Sequence, residues 1–224
     1  MVGLTGIDVE QPLPHDLVEL ARIDAVTAGP DTPGWVVESL SRAPFAVVRR
    51  ARSRDGLVPI GVRGAARHQR FAAWLSPSQI KRRIGPEDLA RDETWRTTPR
   101  AASLPHFALL DRVAATMRAL ALTWGPAGSA GYELASGIPA LTPASDIDLV
   151  VRVARTLSRE IARSLLVETA SLPIRIDVQI ETPHGAVALA EYAAGSAPIV
   201  LRTLDGPRLV ADPWTSEIFG DHPR

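Results

Sequence analysis

The stretch ASDIDLVVRV, residues 144–153, sets two aspartates one residue apart inside an apolar run. Side chains alternate across a strand, so Asp146 and Asp148 share one face while Ile147 and Leu149 take the other. The two carboxylates then stand roughly 6–7 Å apart along that face. Their repulsion grows as the surroundings become less polar, and a cation between them relieves it. The segment reads as a strand buried on one side and carrying an acidic pair on the other, with a divalent metal ion as the candidate counter-charge.

The flanking segments extend this reading. LPIRIDVQIE, residues 172–181, alternates strictly, with Ile174, Ile176, Val178 and Ile180 on one face and Arg175, Asp177, Gln179 and Glu181 on the other. If this strand neighbours the first, Asp177 brings a third carboxylate to Asp146 and Asp148. Three such acids hold one or two magnesium ions and leave sites open for phosphate oxygens. Between the two strands, LSREIARSLLVETA (157–170) has the spacing of an amphipathic helix. Upstream, FALLDRVAATMRALALTW (107–124) is a core-packed helix with Leu109, Val113, Met117 and Leu120 at helical spacing. WGPAGSAGYELASG (124–137) then gives a glycine-bearing turn and a short helix. There Gly128 permits close backbone approach, and the helix-start N–H groups with the Ser129 hydroxyl suit a phosphate.

The N-terminal part has a different texture. PHDLVELA (14–21) is a short element after a proline, and APFAVVRRA (43–51) a strand ending in paired arginines. Asp55-Gly56 marks the corner of a hairpin whose returning strand is VPIGVRG, 58–64. SPSQIKRRI (76–84) is expected to start a helix at Ser76-Pro77, and PEDLARDETW (86–95) a second one. WRTTPRAASLP (95–105) has two prolines and little periodicity, which places a linker there and a domain boundary near residue 98. The expected class is α+β, with a smaller N-terminal α/β domain over 1–95 and a catalytic domain over 100–224.

Residues 42–83 hold arginines 42, 49, 50, 52, 54, 63, 67, 70, 82 and 83 and Lys81 against one acid, Asp55. Although the net charge is zero, this segment is expected to form a positive patch facing an anion. A polynucleotide is disfavoured as that anion, because phosphate-backbone binders show broader basic surfaces. With no cysteine and five histidines scattered without zinc-site spacing, any metal must be held by oxygen, which favours magnesium or manganese. Neither a secretory signal nor an apolar run of membrane-spanning length is evident, so a soluble cytoplasmic protein is expected, with no membrane partner. The chain has no phosphate-binding GxxxxGK[ST] loop, and GSAG lacks the glycine that a nucleophile elbow requires.

The succession WGPAGS, SDIDL, RIDVQI resembles the nucleotidyltransferase superfamily that shares the fold of DNA polymerase β. A narrower resemblance runs from about residue 12 to 215. PHDLVEL, VPIGVRGAARHQRFAAWL, GSAGYELASG, SDIDLVVR, RIDVQIETPHGAVALAEY and LRTLDGPRLVADPW together resemble the phosphoribosyl-dephospho-CoA transferases, the holo-acyl-carrier-protein synthases of bacterial malonate decarboxylase. That resemblance implies transfer of the prosthetic group from 2'-(5''-triphosphoribosyl)-3'-dephospho-CoA to a serine of the acyl-carrier subunit, with release of pyrophosphate. It implies a metal on Asp146 and Asp148, with Asp177 completing the site or accepting the serine proton, and Gly128 and Ser129 cradling the outer phosphates. Arg152 is a candidate for a phosphate or the ribose. Arg63, Arg67 and Arg70 are candidates for the CoA diphosphate or for acids of the carrier protein. The alternatives are another acceptor, such as the citrate lyase carrier protein or a small molecule, a noncatalytic carrier-binding module, and a nucleic-acid binder using the basic segment.

Overall fold

The computed structural model describes residues 11–26, 32–66 and 68–215, which fall into two compact units, Met1–Ile84 and Gly85–Arg224. In the first unit β1 (Leu17–Leu20), α1 (Gly34–Arg42), β2 (Phe45–Val48), β3 (Val58–Arg63), β4 (Arg70–Leu75) and β5 (Ile80–Ile84) follow one another. The strands form an antiparallel sheet in the order β4-β3-β2-β1-β5. Asp55 and Gly56 both have positive φ, which is the backbone a tight hairpin corner needs. Val36 and Leu40 of α1 are buried with Val18, Ala46, Ile60 and Leu75 of the sheet.

The helix expected over residues 76–84 is a correction. Only Pro77–Gln79 form a single 3-10 turn, and Ile80–Ile84 extend as β5 against β1. The proline and serine start the turn as expected, but the edge of β1 offers backbone partners that override the helical propensity of the basic run. This pairing also changes the charge picture. Lys81 and Arg82 both bind Glu19 of β1, at 2.5 and 3.1 Å, and Arg83 binds the fully buried Asp16 at 3.3 Å. Part of the basic run is therefore neutralised by acids more than 60 residues away in sequence.

In the second unit α2 (Pro86–Arg91) and α3 (Pro105–Ala119) precede β6 (Thr123–Pro126), α4 (Gly128–Ser136), β7 (Ile147–Arg152), α5 (Arg159–Ala170) and β8 (Ile176–Thr182). β9 (Gly185–Ala188), α6 (Leu189–Ala194), β10 (Ile199–Thr203) and β11 (Gly206–Val210) complete it. The sheet order is β11-β10-β9-β8-β7-β6, antiparallel throughout except between β7 and β8. That parallel pair needs a crossover, which α5 supplies. Ser158 caps α5 by accepting from the Ile161 N–H at 3.2 Å. Ile147, Leu149, Val151, Val178 and Ile180 bury the core face with Leu109, Val113 and Met117 of α3 and Leu165 of α5, while Leu120 is partly buried.

The units divide between Ile84 and Gly85, whereas the sequence places the boundary near residue 98. Two contacts attach residues 85–98 to the second unit. A Cβ at Gly125 of β6 would lie 1.8 Å from the Pro86 carbonyl oxygen, so the α2 backbone presses directly on β6. Trp95 is 1% exposed, packs on Trp124 at 5.9 Å between ring centroids, and donates its Nε1–H to Asp111 at 2.9 Å. That hydrogen bond, with the Arg96 charge, holds the Asp111 carboxyl below the usual carboxylate range.

The run expected to be a linker is also anchored. Arg100 reaches Glu133 of α4, which is 2% exposed, with Nη1 at 3.1 and 3.0 Å from the two carboxylate oxygens. Glu133 Oε2 further accepts from the Ala140 and Leu141 N–H groups, at 2.7 and 2.9 Å, and Arg100 Nη2 donates to the Leu141 carbonyl. Removing one partner leaves the other charge buried and uncompensated. Arg100→Ala should destabilise the protein by about 3 kcal/mol in urea unfolding; a change under about 1 kcal/mol would show that solvent replaces the arginine.

Candidate active site

The backbone ladder of β7 fixes the two aspartates of the opening stretch. Ile147 N–H donates to the Arg175 carbonyl at 3.0 Å, and the Asp148 carbonyl accepts from Ala127 N–H at 2.8 Å. Ile147 is fully buried, so Asp146 and Asp148 lie on the opposite face, half-buried and exposed respectively. In the parallel pair Asp148 stands directly opposite Asp177, and residues in register on adjacent strands are about 4.8 Å apart. The structure therefore brings all three acids to one edge of one sheet face.

Their present partners differ. Among the described residues the Asp146 carboxylate has no hydrogen-bond or ion-pair partner. Asp177 Oδ1 accepts from Arg175, Nε at 3.0 Å and Nη2 at 2.9 Å, with both side chains well exposed. An exposed pair of this kind contributes at most about 1 kcal/mol, so it does not hold Asp177 away from a divalent cation. No three acid or imidazole groups among the described residues stand close enough to make a ready-built metal cage. Magnesium does not require one. It binds through one or two carboxylates together with waters and substrate phosphates, and this set of hard oxygen donors fits that mode.

Gly128 joins the acids to the phosphate-binding candidates. Its φ is +55°, and a Cβ there would lie 1.9 Å from Asp148 Oδ2, so the start of α4 lies directly against that carboxylate. No side chain caps the N-terminus of α4, and Ser129, half-buried, is its second residue. The first N–H groups of a helix lack intrahelical acceptors and favour an anion. An uncapped helix start and a pair of facing carboxylates thus share one corner of the unit.

Other candidates lie elsewhere. Arg152 ends β7, roughly 13 Å along the strand from Asp148. Its Nη1 is engaged by both carboxylate oxygens of Glu87 in α2, at 2.6 and 2.7 Å, so the structure ties it to the α2 packing and does not bring it to the aspartates. Arg63 and Arg70 face each other across β3 and β4 in the first unit. Arg67 lies outside the described residues.

One buried group emerges only in three dimensions. His106, in the first turn of α3 and 1% exposed, bonds through Nε2 to the Ser145 carbonyl at 2.9 Å, immediately before Asp146. A carbonyl only accepts, so Nε2 carries the proton. Since 39 residues separate the two, no local spacing announces the contact. Glu133 has a faint signal, as it follows the buried Ala130 by three positions on the inward stripe of α4.

Comparison with known proteins identifies the family. Residues 13–86 match the phosphoribosyl-dephospho-CoA transferase MdcG N-terminal domain, and residues 93–213 match the C-terminal domain of the same family. The chain belongs to the phosphoribosyl-dephospho-CoA transferase family. Relatives bearing that name include proteins of Azotobacter vinelandii (43% identity over 91% of this chain and 94% of the relative) and Pseudomonas putida strain GB-1 (42%, over 92% and 97%). A Klebsiella pneumoniae relative is 40% identical over 92% of this chain and 98% of its own length. No solved structure matches the chain significantly. Among the described residues no helix is long and apolar enough to cross a membrane.

Gly128 makes this geometry testable. In Gly128→Ala the methyl group must displace the Asp148 carboxylate from a backbone that L-residues rarely adopt. Turnover should fall at least about a hundredfold with the circular dichroism spectrum retained; turnover within about threefold of wild type would show that Asp148 need not sit there.

Proposed function

We propose that this enzyme transfers the phosphoribosyl-dephospho-CoA group from 2'-(5''-triphosphoribosyl)-3'-dephospho-CoA to a serine of the acyl-carrier subunit of malonate decarboxylase, releasing pyrophosphate. The observation that carries the chemistry is the register of β7 with β8, which sets Asp148 opposite Asp177 beside the uncapped start of α4. Family membership supports the transferred group, and the acceptor follows from the resemblance of the sequence motifs to the holo-acyl-carrier-protein synthases of malonate decarboxylase.

In this reading the α4 N–H groups and the Ser129 hydroxyl hold the outer phosphates of the triphosphate and keep it aligned for in-line displacement. Asp146 and Asp148 hold magnesium or manganese, which when bound offsets charge on the phosphate oxygens. Asp177, at the same edge and open to solvent, completes the oxygen set and is the acceptor for the proton of the incoming serine. The serine oxygen forms a bond to the α-phosphorus, the bond from that phosphorus to the bridging oxygen of the β-phosphate breaks, and pyrophosphate leaves. On the first unit, Arg63 and Arg70 are assigned to acidic residues of the carrier subunit, and Arg67 keeps the same assignment from its sequence position.

The test is the intact mass of the carrier subunit after incubation with this enzyme, magnesium and the triphosphoribosyl precursor. The expected result is a gain equal to one phosphoribosyl-dephospho-CoA group, with the rate reduced at least about a thousandfold in Asp148→Ala. No gain with wild-type enzyme would overturn the assigned acceptor and donor. Undiminished transfer by Asp148→Ala would overturn the site.

A further inference from the structure

The sheet face that presents Asp148 and Asp177 continues beyond them. Gln179 and Glu181 follow Asp177 on β8, Ala188 and Ala186 lie opposite them on β9, and Arg202 of β10 lies opposite Ala186. Paired residues in register share a face, so all of these project to the same side. Val200 and Leu209, paired on β10 and β11 on that side, are 37% and 49% exposed, so this part of the face is open to solvent.

Arg202 stands out on this surface. It is exposed, and among the described residues its one side-chain polar contact is Nη1 to Gln179 Oε1, at 2.9 Å across β9. The small side chains of Ala186 and Ala188 let it cross the intervening strand. Among the described residues no carboxylate lies within ion-pair distance of it, unlike Arg175, Arg152 and Arg100 in the same unit. Gln179 is itself oriented by donating from Nε2 to Glu181 Oε1 at 2.8 Å. The result is a guanidinium steered by a neutral amide, with most of its fork unused, and Gln179 is one two-residue step, roughly 6–7 Å, from Asp177.

The placement has a direction. Along the sheet order β10-β9-β8-β7-β6, the carboxylates on β7 and β8 lie between Arg202 on one side and the start of α4, which follows β6, on the other. An exposed guanidinium and an uncapped helix start therefore flank the acids. If the leaving phosphates occupy the α4 side, the part of the donor retained in the product extends towards β10. Beyond the reacting phosphate that part consists of two linked ribose rings followed by the adenosine 5'-diphosphate bridge to pantetheine.

We infer that Arg202, held by Gln179, binds the diphosphate bridge of the dephospho-CoA moiety. This rests on the transferase reading above and adds a subsite to it. A guanidinium forks onto two phosphate oxygens at once, and a diphosphate supplies such pairs.

Dephospho-CoA itself isolates this subsite, since it carries the diphosphate bridge and lacks the triphosphate. Its affinity for the full chain, measured by calorimetry, should weaken roughly ten- to a hundredfold in Arg202→Ala. It should weaken less in Arg202→Lys, and change little in Asp148→Ala. Gln179→Leu should weaken it in the same direction, with thermal unfolding confirming that each variant is folded. In transfer assays Arg202→Ala should raise KM for the precursor far more than it lowers kcat. Equal dephospho-CoA affinity in wild type and Arg202→Ala, or a rise confined to KM for the carrier subunit, would overturn the inference and leave the transferase reading standing. Wild-type enzyme that binds dephospho-CoA through Arg202 but transfers nothing would instead overturn the transferase reading.

Discussion

The pairing of β7 with β8 is the constraint on which the rest of the second unit depends. With Asp148 opposite Asp177, the alternation of both strands puts Ile147, Leu149, Val151, Val178 and Ile180 in the core and every carboxylate outside it. A slip of one residue would bury Asp177 and expose Ile176 and Val178, exchanging apolar burial for an unpaired charge. Core formation and site assembly are therefore enforced by one register. The parallel direction, made possible by the α5 crossover, brings these two strands together starting from the same end.

Around that pair the structure adds braces acting at longer range. The Arg100–Glu133 ion pair ties the loop before α3 to α4 and, through the Ala140 and Leu141 N–H groups, fixes the segment leading to Asp146. His106 holds the Ser145 carbonyl at the last step of that segment. On the other side of Asp148, Gly128 lets the start of α4 lie against the carboxylate. Helix start, loop and strand thus converge on two aspartates whose backbone positions are fixed by the strand ladder.

Much of this was legible in the sequence because it rests on local patterns. Strict alternation announces β8, an apolar run interrupted by Asp-x-Asp announces β7, helical spacing announces α3 and α5, and Asp55-Gly56 announces the hairpin of the first unit. Asp-x-Asp and GSAG point to chemistry by residue type alone. What escaped depends on partners remote in sequence. Ile80–Ile84 is a strand because β1 offers its edge, and Glu19 and Asp16 on or beside that strand temper the basic run. Residues 86–96 join the second unit because Gly125 admits α2 and Trp124 packs against Trp95, which no composition shift at the prolines reveals. Arg152 shares strand parity with Asp148, yet parity does not disclose that Glu87 engages it.

The proposed function joins the transferred group, which family membership supplies, to the three acids that the register of β7 and β8 brings to one edge, where we place the phosphoryl chemistry. The most direct measurement of that link is manganese binding, followed by electron paramagnetic resonance with the triphosphoribosyl precursor present. The account predicts a bound-ion signal in wild-type protein that is lost in Asp148→Asn while the unfolding temperature stays close to wild type. An equal bound-ion signal in both proteins would contradict it and place the metal, and with it the phosphoryl chemistry, elsewhere.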